Sequence, residues 1–150
     1  MTDILFYHLT SSTLETALPP LLEKSLERGW KVCVTGNETM RLDALDRLLW
    51  TYRDEGFLPH GRSGGDHDAD QPILLTEPGK GGSGADVLML IDGAMEPIEN
   101  LARYQRVCLF FDGNNPESVQ AARGHWSAFR NTDFTAKYWA QENGRWVAKG

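Results

Sequence analysis

Residues 106–130 read RVCLFFDGNNPESVQAARGHWSAFR, and this stretch decides the fold class. Its first seven residues are almost entirely apolar and predict a strand. The turn-forming segment GNN (113–115) follows, and a strong helical pattern then runs from Pro116 to Arg130. A strand that leads through a short turn into a helix is the repeating unit of an α/β fold.

Strands and helices alternate along the rest of the chain. KVCVTG (31–36) is continuously apolar, as a strand covered on both faces would be. Leucines recur at helical spacing from Thr13 to Arg28, where Pro19 and Pro20 are expected to kink the first turns or to delay the start of the helix to about residue 19. The other predicted elements are strands at 4–9, 72–76, 85–92, 134–141 and 145–149, a weak helix at 97–103, and a helix at 38–50 with Asn37 as its N-cap and Met40, Leu45, Leu48 and Leu49 inward.

This alternation predicts a mainly parallel α/β sheet. The residues Glu142, Asn143 and Gly144 signal a hairpin, so an antiparallel pair is expected at the C-terminal edge. A chain of 150 residues is expected to form a single domain over residues 1–150, with enough buried surface for a real core.

Charge and composition narrow the class of function. The net charge of −6 argues against general DNA or RNA binding, which depends on neutralising phosphates. No apolar run approaches the roughly 20 residues of a membrane span, and the N-terminus does not look like a signal peptide. Cys33 and Cys108 lie far apart in apolar segments, which favours small core residues in a reducing, cytoplasmic compartment over a disulfide.

The stretch GDHDADQPILLTE (65–77) has the acidic spacing of a calcium loop. Its sixth position, which must be Gly for the sharp turn, is Gln71, and strand-like residues follow. We therefore interpret it as a solvated acidic loop. A zinc site built from His60, His67 and an aspartate is the alternative. The carboxylates at the calcium-loop positions are Asp66, Asp68, Asp70 and Glu77.

Motifs for catalysis or nucleotide binding do not stand out. GKGGSG (79–84) lacks the spacing of a phosphate-binding loop and leads into a strand, which favours a linker. TGNETM (35–40) has a single Gly, and the histidines sit in no nucleophile context. We predict a binding module without catalytic residues, cofactor or metal. The alternative is an α/β nucleotide-binding or metal-dependent enzyme with an unrecognised site.

The helix at 116–130 carries the most informative surface. At about 100° per residue, Trp126 falls inside an apolar arc, and Arg123 and Arg130 fall on one edge of that arc. One interpretation is a core helix whose arginines extend to solvent. The other is a pocket for a peptide with a carboxylate and an apolar side chain. The remaining members of the arc are Val119, Ala122 and Phe129.

A second aromatic pair stands where a helix gives way to a loop. Trp50 ends the helix predicted at 38–50, and Phe57 begins FLPH (57–60). Large aromatics at such positions either close a core or form an exposed patch. The residues alone leave both interpretations open.

Six segments together resemble one family, the chi subunit of bacterial DNA polymerase III, which is part of the clamp-loader complex. The resemblance covers nearly the whole chain, from about residue 3 to 148, and it is the combination of segments that is specific. The segments are FYHL (6–9), LLEKSLERGWKVCV (21–34), LDRLLWTYRDEGFLPHG (45–61), QPILL (71–75), FFDGNNPESVQAARGHW (110–126) and YWAQENGRW (138–146).

The resemblance implies a Rossmann-like, three-layer α/β fold without a bound nucleotide and without catalytic activity. It implies that the protein links the polymerase assembly to single-stranded DNA-binding protein (SSB) by binding the acidic, Phe-ending C-terminal tail of SSB. The opposite face would bind the psi subunit in some bacteria, and a repair helicase would compete for that face. No direct binding of nucleic acid is expected.

The family's tail-binding pocket has an Arg, an aromatic residue and a Lys at positions i, i+3 and i+4 of the late helix. Arg123 and Trp126 match the first two, whereas Ser127 stands in place of the Lys. Arg130 or Lys137 is a candidate for supplying the missing charge.

Two further correspondences follow from the resemblance. Phe111 is expected near the tail-binding pocket. The family's psi-binding face corresponds to Trp50 and Phe57, with Pro59 and His60 completing the motif. These four residues could serve psi, another partner or only the fold.

Overall fold

Strands and helices alternate in the computed structural model, which describes residues 2–10, 12–51, 60–62, 72–78, 84–132, 134–142 and 145–148. The strands are β1 (Asp3–Leu9), β2 (Val32–Thr35), β3 (Gly61–Arg62), β4 (Ile73–Thr76), β5 (Val87–Leu90), β6 (Arg106–Asp112), β7 (Thr135–Glu142) and β8 (Arg145–Ala148). The helices are α1 (Leu14–Glu27), α2 (Thr39–Trp50), α3 (Ile98–Leu101) and α4 (Pro116–Arg130).

The eight strands form one sheet in the order β3-β4-β2-β5-β6-β1-β7-β8. Every neighbouring pair is parallel except β7 and β8, which are antiparallel. The predicted α/β fold with a mainly parallel sheet and a C-terminal antiparallel pair is therefore confirmed. β1 lies between β6 and β7, so the strand nearest the N-terminus is an interior strand of the sheet.

The core has two parts, one on each face of the sheet. Successive side chains of a strand point to opposite faces. In β1, Leu5 and Tyr7 therefore pack with α1 and α2, whereas Ile4 and Phe6 pack with α3 and α4. The result is a three-layer arrangement of helices, sheet and helices, as the resemblance implied.

Local signals position β6 and α4 as the sequence predicts, with the same bounds. The side chain of Asn115 caps α4 by accepting a hydrogen bond from the backbone N–H of Glu117 at 3.0 Å. Pro116 occupies the first turn, where its missing N–H costs no hydrogen bond. Both signals lie just beyond the carboxyl end of β6, so α4 starts there and runs back along the sheet.

The prediction of a delayed start for α1 is wrong. The helix begins at Leu14, and both Pro19 and Pro20 lie inside it. Leu14 and Leu18 are buried in the core on the α1 side of the sheet, and this burial holds the first turns in helical geometry despite the prolines.

Three details of the other predicted elements also need correction. Met40 was expected inward but is 84% exposed, because it lies about 200° around α2 from the buried Leu42. The residue before the first turn of α2 is Glu38 rather than Asn37. The two-residue strand β3 had no counterpart in the predicted elements, since Gly61 and Arg62 carry no apolar pattern.

Two expectations from composition can be compared with the structure. Cys33 and Cys108 are free thiols in the core, and burial raises the pKa of Cys33 to about 11 and that of Cys108 to about 12. This agrees with the predicted role as small core residues. None of the helices that the structure describes combines the length and the apolar character that crossing a membrane requires.

Gly113 provides a test of the packing where β6 leaves the sheet. A Cβ atom there would lie 2.0 Å from Nε2 of His8 and 2.8 Å from the backbone oxygen of Leu9. We expect Gly113→Ala to destabilise the fold by about 1–3 kcal/mol in urea unfolding, because the neighbouring backbone must shift.

Gly124→Ala is the matched control, because a Cβ on this residue of α4 would meet nothing within 4 Å. Replacing a glycine inside a helix by alanine should stabilise the protein by about 0.5–1 kcal/mol. Equal effects of the two substitutions would contradict the described packing.

Candidate functional site

Trp126 stands at the edge of the core on the outer part of α4. Its ring packs edge-on against Phe6, with centroids 5.3 Å apart, and against Tyr138, with centroids 6.1 Å apart. Phe6 is fully buried, whereas Trp126 and Tyr138 are partly exposed. Trp126 therefore belongs to the core on one side and to the surface on the other, which leaves the peptide pocket a prediction.

A cavity of about 440 Å³ lies beside Trp126. Its described lining is Trp126 and Arg130 from α4, together with Phe134, just before β7, and Ala136 in β7. Arg123 is exposed one helical turn before Trp126. An apolar floor next to two guanidinium groups suits a ligand that has both an aromatic ring and a carboxylate. We call this surface the α4–β7 groove.

The alternation of β7 separates the two candidates for an extra positive charge. Ala136 and Tyr138 pack in the same part of the core as Trp126, so they face α4. Lys137 lies between them in the strand and therefore points to the opposite face of the sheet. Of the two candidates, Arg130 lines the cavity and Lys137 does not.

Ser127 and Phe111 take different places around the groove. Ser127 is exposed on α4, next to Trp126, so a longer side chain at this position would extend into solvent. Phe111 is only 7% exposed and packs against Tyr138 at 6.0 Å between ring centroids. Phe111 thus supports the groove from the core and does not line its surface.

Sequence reasoning did not identify two polar residues beneath the groove. The hydroxyl of Tyr138 lies 2.5 Å from Nδ1 of His8, and the His8 ring stacks on Phe111 with centroids 4.8 Å apart. Burial raises the pKa of Tyr138, and the positive charge of Arg123 opposes that rise. His8 and Tyr138 are 130 residues apart, and only the parallel pairing of β1 with β7 brings them together.

Trp50 lies far along the chain from the groove, at the end of α2. It is 52% exposed, as a residue that contacts a partner should be. His60 is 7% exposed, and its Nε2 lies 2.9 Å from a carboxylate oxygen of Asp46, while its ring packs edge-on against Trp50. His60 therefore supports Trp50 from beneath. Phe57 and Pro59 lie outside the described residues.

A second described cavity, of about 650 Å³, lies at the carboxyl ends of β1 and β6. α1 and α4 leave these neighbouring strands toward opposite faces, and a crevice of this kind is where α/β sheets commonly bind ligands. Arg41 lines it but is bound to the carboxylates of Glu15 and Asp92. The lining also holds Asp112 and Glu117, so its charge opposes a phosphate and does not favour the nucleotide-binding alternative.

The metal-site alternative finds no support in the part of the chain that the structure describes. There, no three side chains of the His, Cys, Asp and Glu types gather closely enough to hold an ion. His60 is bound to Asp46, and Glu77 accepts a hydrogen bond from Thr39 at 3.0 Å. The other residues of the proposed sites lie outside the described residues, namely Asp66, His67, Asp68 and Asp70.

Residues 1–137 match the protein family described as DNA polymerase III chi subunit, HolC. The chain is 28% identical over 137 residues to the DNA polymerase III subunit chi of Pseudomonas aeruginosa, covering 89% of this chain and 93% of that protein. It is 29% identical over 91 residues to the probable DNA polymerase III subunit chi of Rickettsia prowazekii, covering 61% of this chain and 55% of that protein. The match thus spans nearly all of the first relative and about half the length of the second.

The exposure of Trp50 leads to a prediction about stability. Trp50→Ala should change the free energy of unfolding by about 1 kcal/mol or less, because half of the side chain is already in water. The neighbouring Leu49 is fully buried, so Leu49→Ala should cost about 2–5 kcal/mol. Urea unfolding of the two variants measures both values. A loss at Trp50 as large as that at Leu49 would mean that Trp50 is a core residue.

Proposed function

The chain belongs to the family of the DNA polymerase III chi subunit, and on this premise we propose that it is a non-catalytic accessory subunit of the bacterial replication machinery. In this role it binds the C-terminal tail of SSB and connects SSB to the clamp loader. The observation that carries the proposal is the α4–β7 groove, where the partly exposed Trp126 lies beside a cavity that Arg130 lines and one turn after Arg123.

The chemistry of the groove fits an acidic peptide that ends in Phe. The terminal carboxylate would accept charge-assisted hydrogen bonds from a guanidinium group, worth about 1.5–3 kcal/mol. The Phe ring would enter the cavity between Trp126 and Phe134 and add roughly 2 kcal/mol. Ordering the peptide costs free energy. The expected upper limit of affinity is therefore a micromolar dissociation constant, which corresponds to a binding free energy of about −8 kcal/mol.

The charge of the protein agrees with this indirect connection to DNA. The net charge of −6 repels a phosphate backbone, yet Arg130 lines the groove and Arg123 is exposed one helical turn before Trp126. An acidic protein with a local basic groove can bind the acidic tail of a protein that itself coats the DNA. The same arrangement keeps the subunit off bare nucleic acid.

We assign the exposed Trp50 to a second, separate contact. Supported by His60, its ring offers a large apolar surface of the kind that anchors protein interfaces. We propose that this face binds psi, or a repair helicase in its place, and that Phe57 and Pro59 also contact this partner. All of these partners act on the bacterial chromosome, so the proposed location is the cytoplasm.

Substitutions in the groove test the tail contact. Arg123→Ala and Trp126→Ala should each weaken binding of a peptide with the last ten or so residues of the organism's SSB at least tenfold, or about 1.4 kcal/mol. Fluorescence titration measures the affinity, and circular dichroism shows whether the variants remain folded. Raising the salt concentration or amidating the peptide's C-terminus should also weaken binding to the unaltered protein.

Lys137→Ala is the matched control, because it removes an exposed cation on the other face of the same sheet. It should leave the affinity unchanged. If either Arg123→Ala or Trp126→Ala binds the peptide as well as the unaltered protein does, the groove is not the tail-binding site.

Ser127 gives a prediction in the opposite direction. Ser127→Lys places an ammonium group one residue after Trp126, at the position where the family has a Lys, and should tighten peptide binding several-fold through charge attraction. Ala128→Lys adds the same charge at the next exposed position of α4, about 100° further around the helix. Equal effects of the two substitutions would indicate a general charge effect and no specific position for a cation at 127.

A further inference from the structure

The hydroxyl of Tyr138 has one described partner, Nδ1 of His8, at 2.5 Å. Either atom of this pair could be the donor. If the phenol donates, its O–H is bonded to His8 and cannot be donated to another acceptor. If the imidazole donates from Nδ1, the phenol keeps its O–H for another acceptor. Which ring nitrogen of His8 carries the hydrogen therefore determines whether Tyr138 has an O–H available for another acceptor.

The other ring nitrogen of His8 indicates which arrangement is present. Nε2 is buried and has no hydrogen-bond partner among the described residues. It lies against Gly113, where even a Cβ atom would come within 2.0 Å of it. A buried N–H without an acceptor is among the least tolerated polar groups in proteins, whereas a buried acceptor without a donor is tolerated more often. A ring without a hydrogen on Nε2 avoids such a group, and the hydrogen on Nδ1 is then donated to the Tyr138 oxygen.

The consequence is an unused phenol O–H beneath the α4–β7 groove. Tyr138 is only partly buried, and its ring meets that of Trp126 edge-on, with centroids 6.1 Å apart. Arg123 is exposed on the same helix, one turn before Trp126. A phenol O–H and a guanidinium group together are suitable donors for a carboxylate.

We propose that Tyr138 is a binding residue of the groove, which donates a hydrogen bond to a carboxylate of the acidic peptide while His8 orients its hydroxyl. This inference rests on the proposed function of the groove and adds a contact to it. His8 acts as a positioning residue, since it touches the phenol and not the peptide. Its stacking on Phe111 and its close contact with Gly113 hold the ring in place.

The first test removes the hydroxyl alone. Tyr138→Phe keeps the ring against Trp126 and should weaken binding of the SSB tail peptide about tenfold, the usual scale for a lost hydrogen bond to a charged group. Tyr104→Phe is the matched control, because this partly buried phenol belongs to the same part of the core but follows α3, away from the groove. The control should bind the peptide as the unaltered protein does.

The second test separates positioning from packing. His8→Asn retains an N–H donor near the place of Nδ1 and should largely preserve peptide affinity, whereas His8→Leu should reduce it to the level of Tyr138→Phe. Combining His8→Leu with Tyr138→Phe should cause no further loss. Urea unfolding of each variant shows that the domain is intact.

Nitrogen-15 NMR of the unaltered protein tests the tautomer without any substitution. A His8 ring protonated on Nδ1 supports the inference, and a ring protonated only on Nε2 overturns it. Unchanged affinity of Tyr138→Phe, in a protein where Arg123→Ala does weaken binding, overturns the role of Tyr138 and leaves the groove standing. If the unaltered protein does not bind the tail peptide, the proposed function and this inference both fail.

Discussion

The pairing of β1 between β6 and β7 is the interaction on which the rest of the structure depends. It aligns three parallel strands and fixes the direction in which the helices leave them. α4 returns from the end of β6 across the sheet and packs against β6 and β7. β8 then extends the sheet beyond the last helix that the structure describes. A parallel sheet normally has both faces covered, so the place where helix cover ends is also where a groove forms.

The two cavities among the described residues differ in charge. The crevice at the ends of β1 and β6 occupies the usual ligand position of an α/β sheet, but four carboxylates line it and its one arginine is already bound to two of them. The α4–β7 groove lies on the flank of the same sheet and carries arginines beside an aromatic floor. Carboxylates thus dominate the crevice at the strand ends, whereas an arginine that is exposed to solvent lines the groove on the flank of the sheet.

Periodicity and capping signals predicted most of the fold, because they act within a few residues. β6 and α4 have the predicted bounds, helped by Asn115 and Pro116. Predictions failed where tertiary contacts prevailed, as at Pro19 and Pro20, where burial of the first turns of α1 outweighs the proline signal. The two-residue strand β3 is formed by pairing with β4 and has no local pattern.

The candidate site was predictable only in the part that lies on one helix. Arg123, Trp126 and Arg130 share a surface because of helical geometry, which the sequence reveals directly. Side chains alternate between the two faces of β7, so Lys137 must point away from α4 if its neighbours face α4. The sequence does not show which face of β7 packs against α4; the structure does, through Ala136 and Tyr138. The contact of His8 with Tyr138 depends on the register between strands at opposite ends of the chain, which no local signal contains.

The central place of β1 also has a consequence for the order of folding. Its two neighbours in the sheet begin about a hundred residues later in the chain, at Arg106 and Thr135. During synthesis the ribosome releases β1 long before either neighbouring strand has been made, so the backbone groups of β1 lack their strand partners. Contacts between residues so far apart in the chain also form slowly. The groove takes one wall from α4 and its floor from β7, which are among the last elements to emerge. A chain whose synthesis is incomplete therefore lacks the α4–β7 groove.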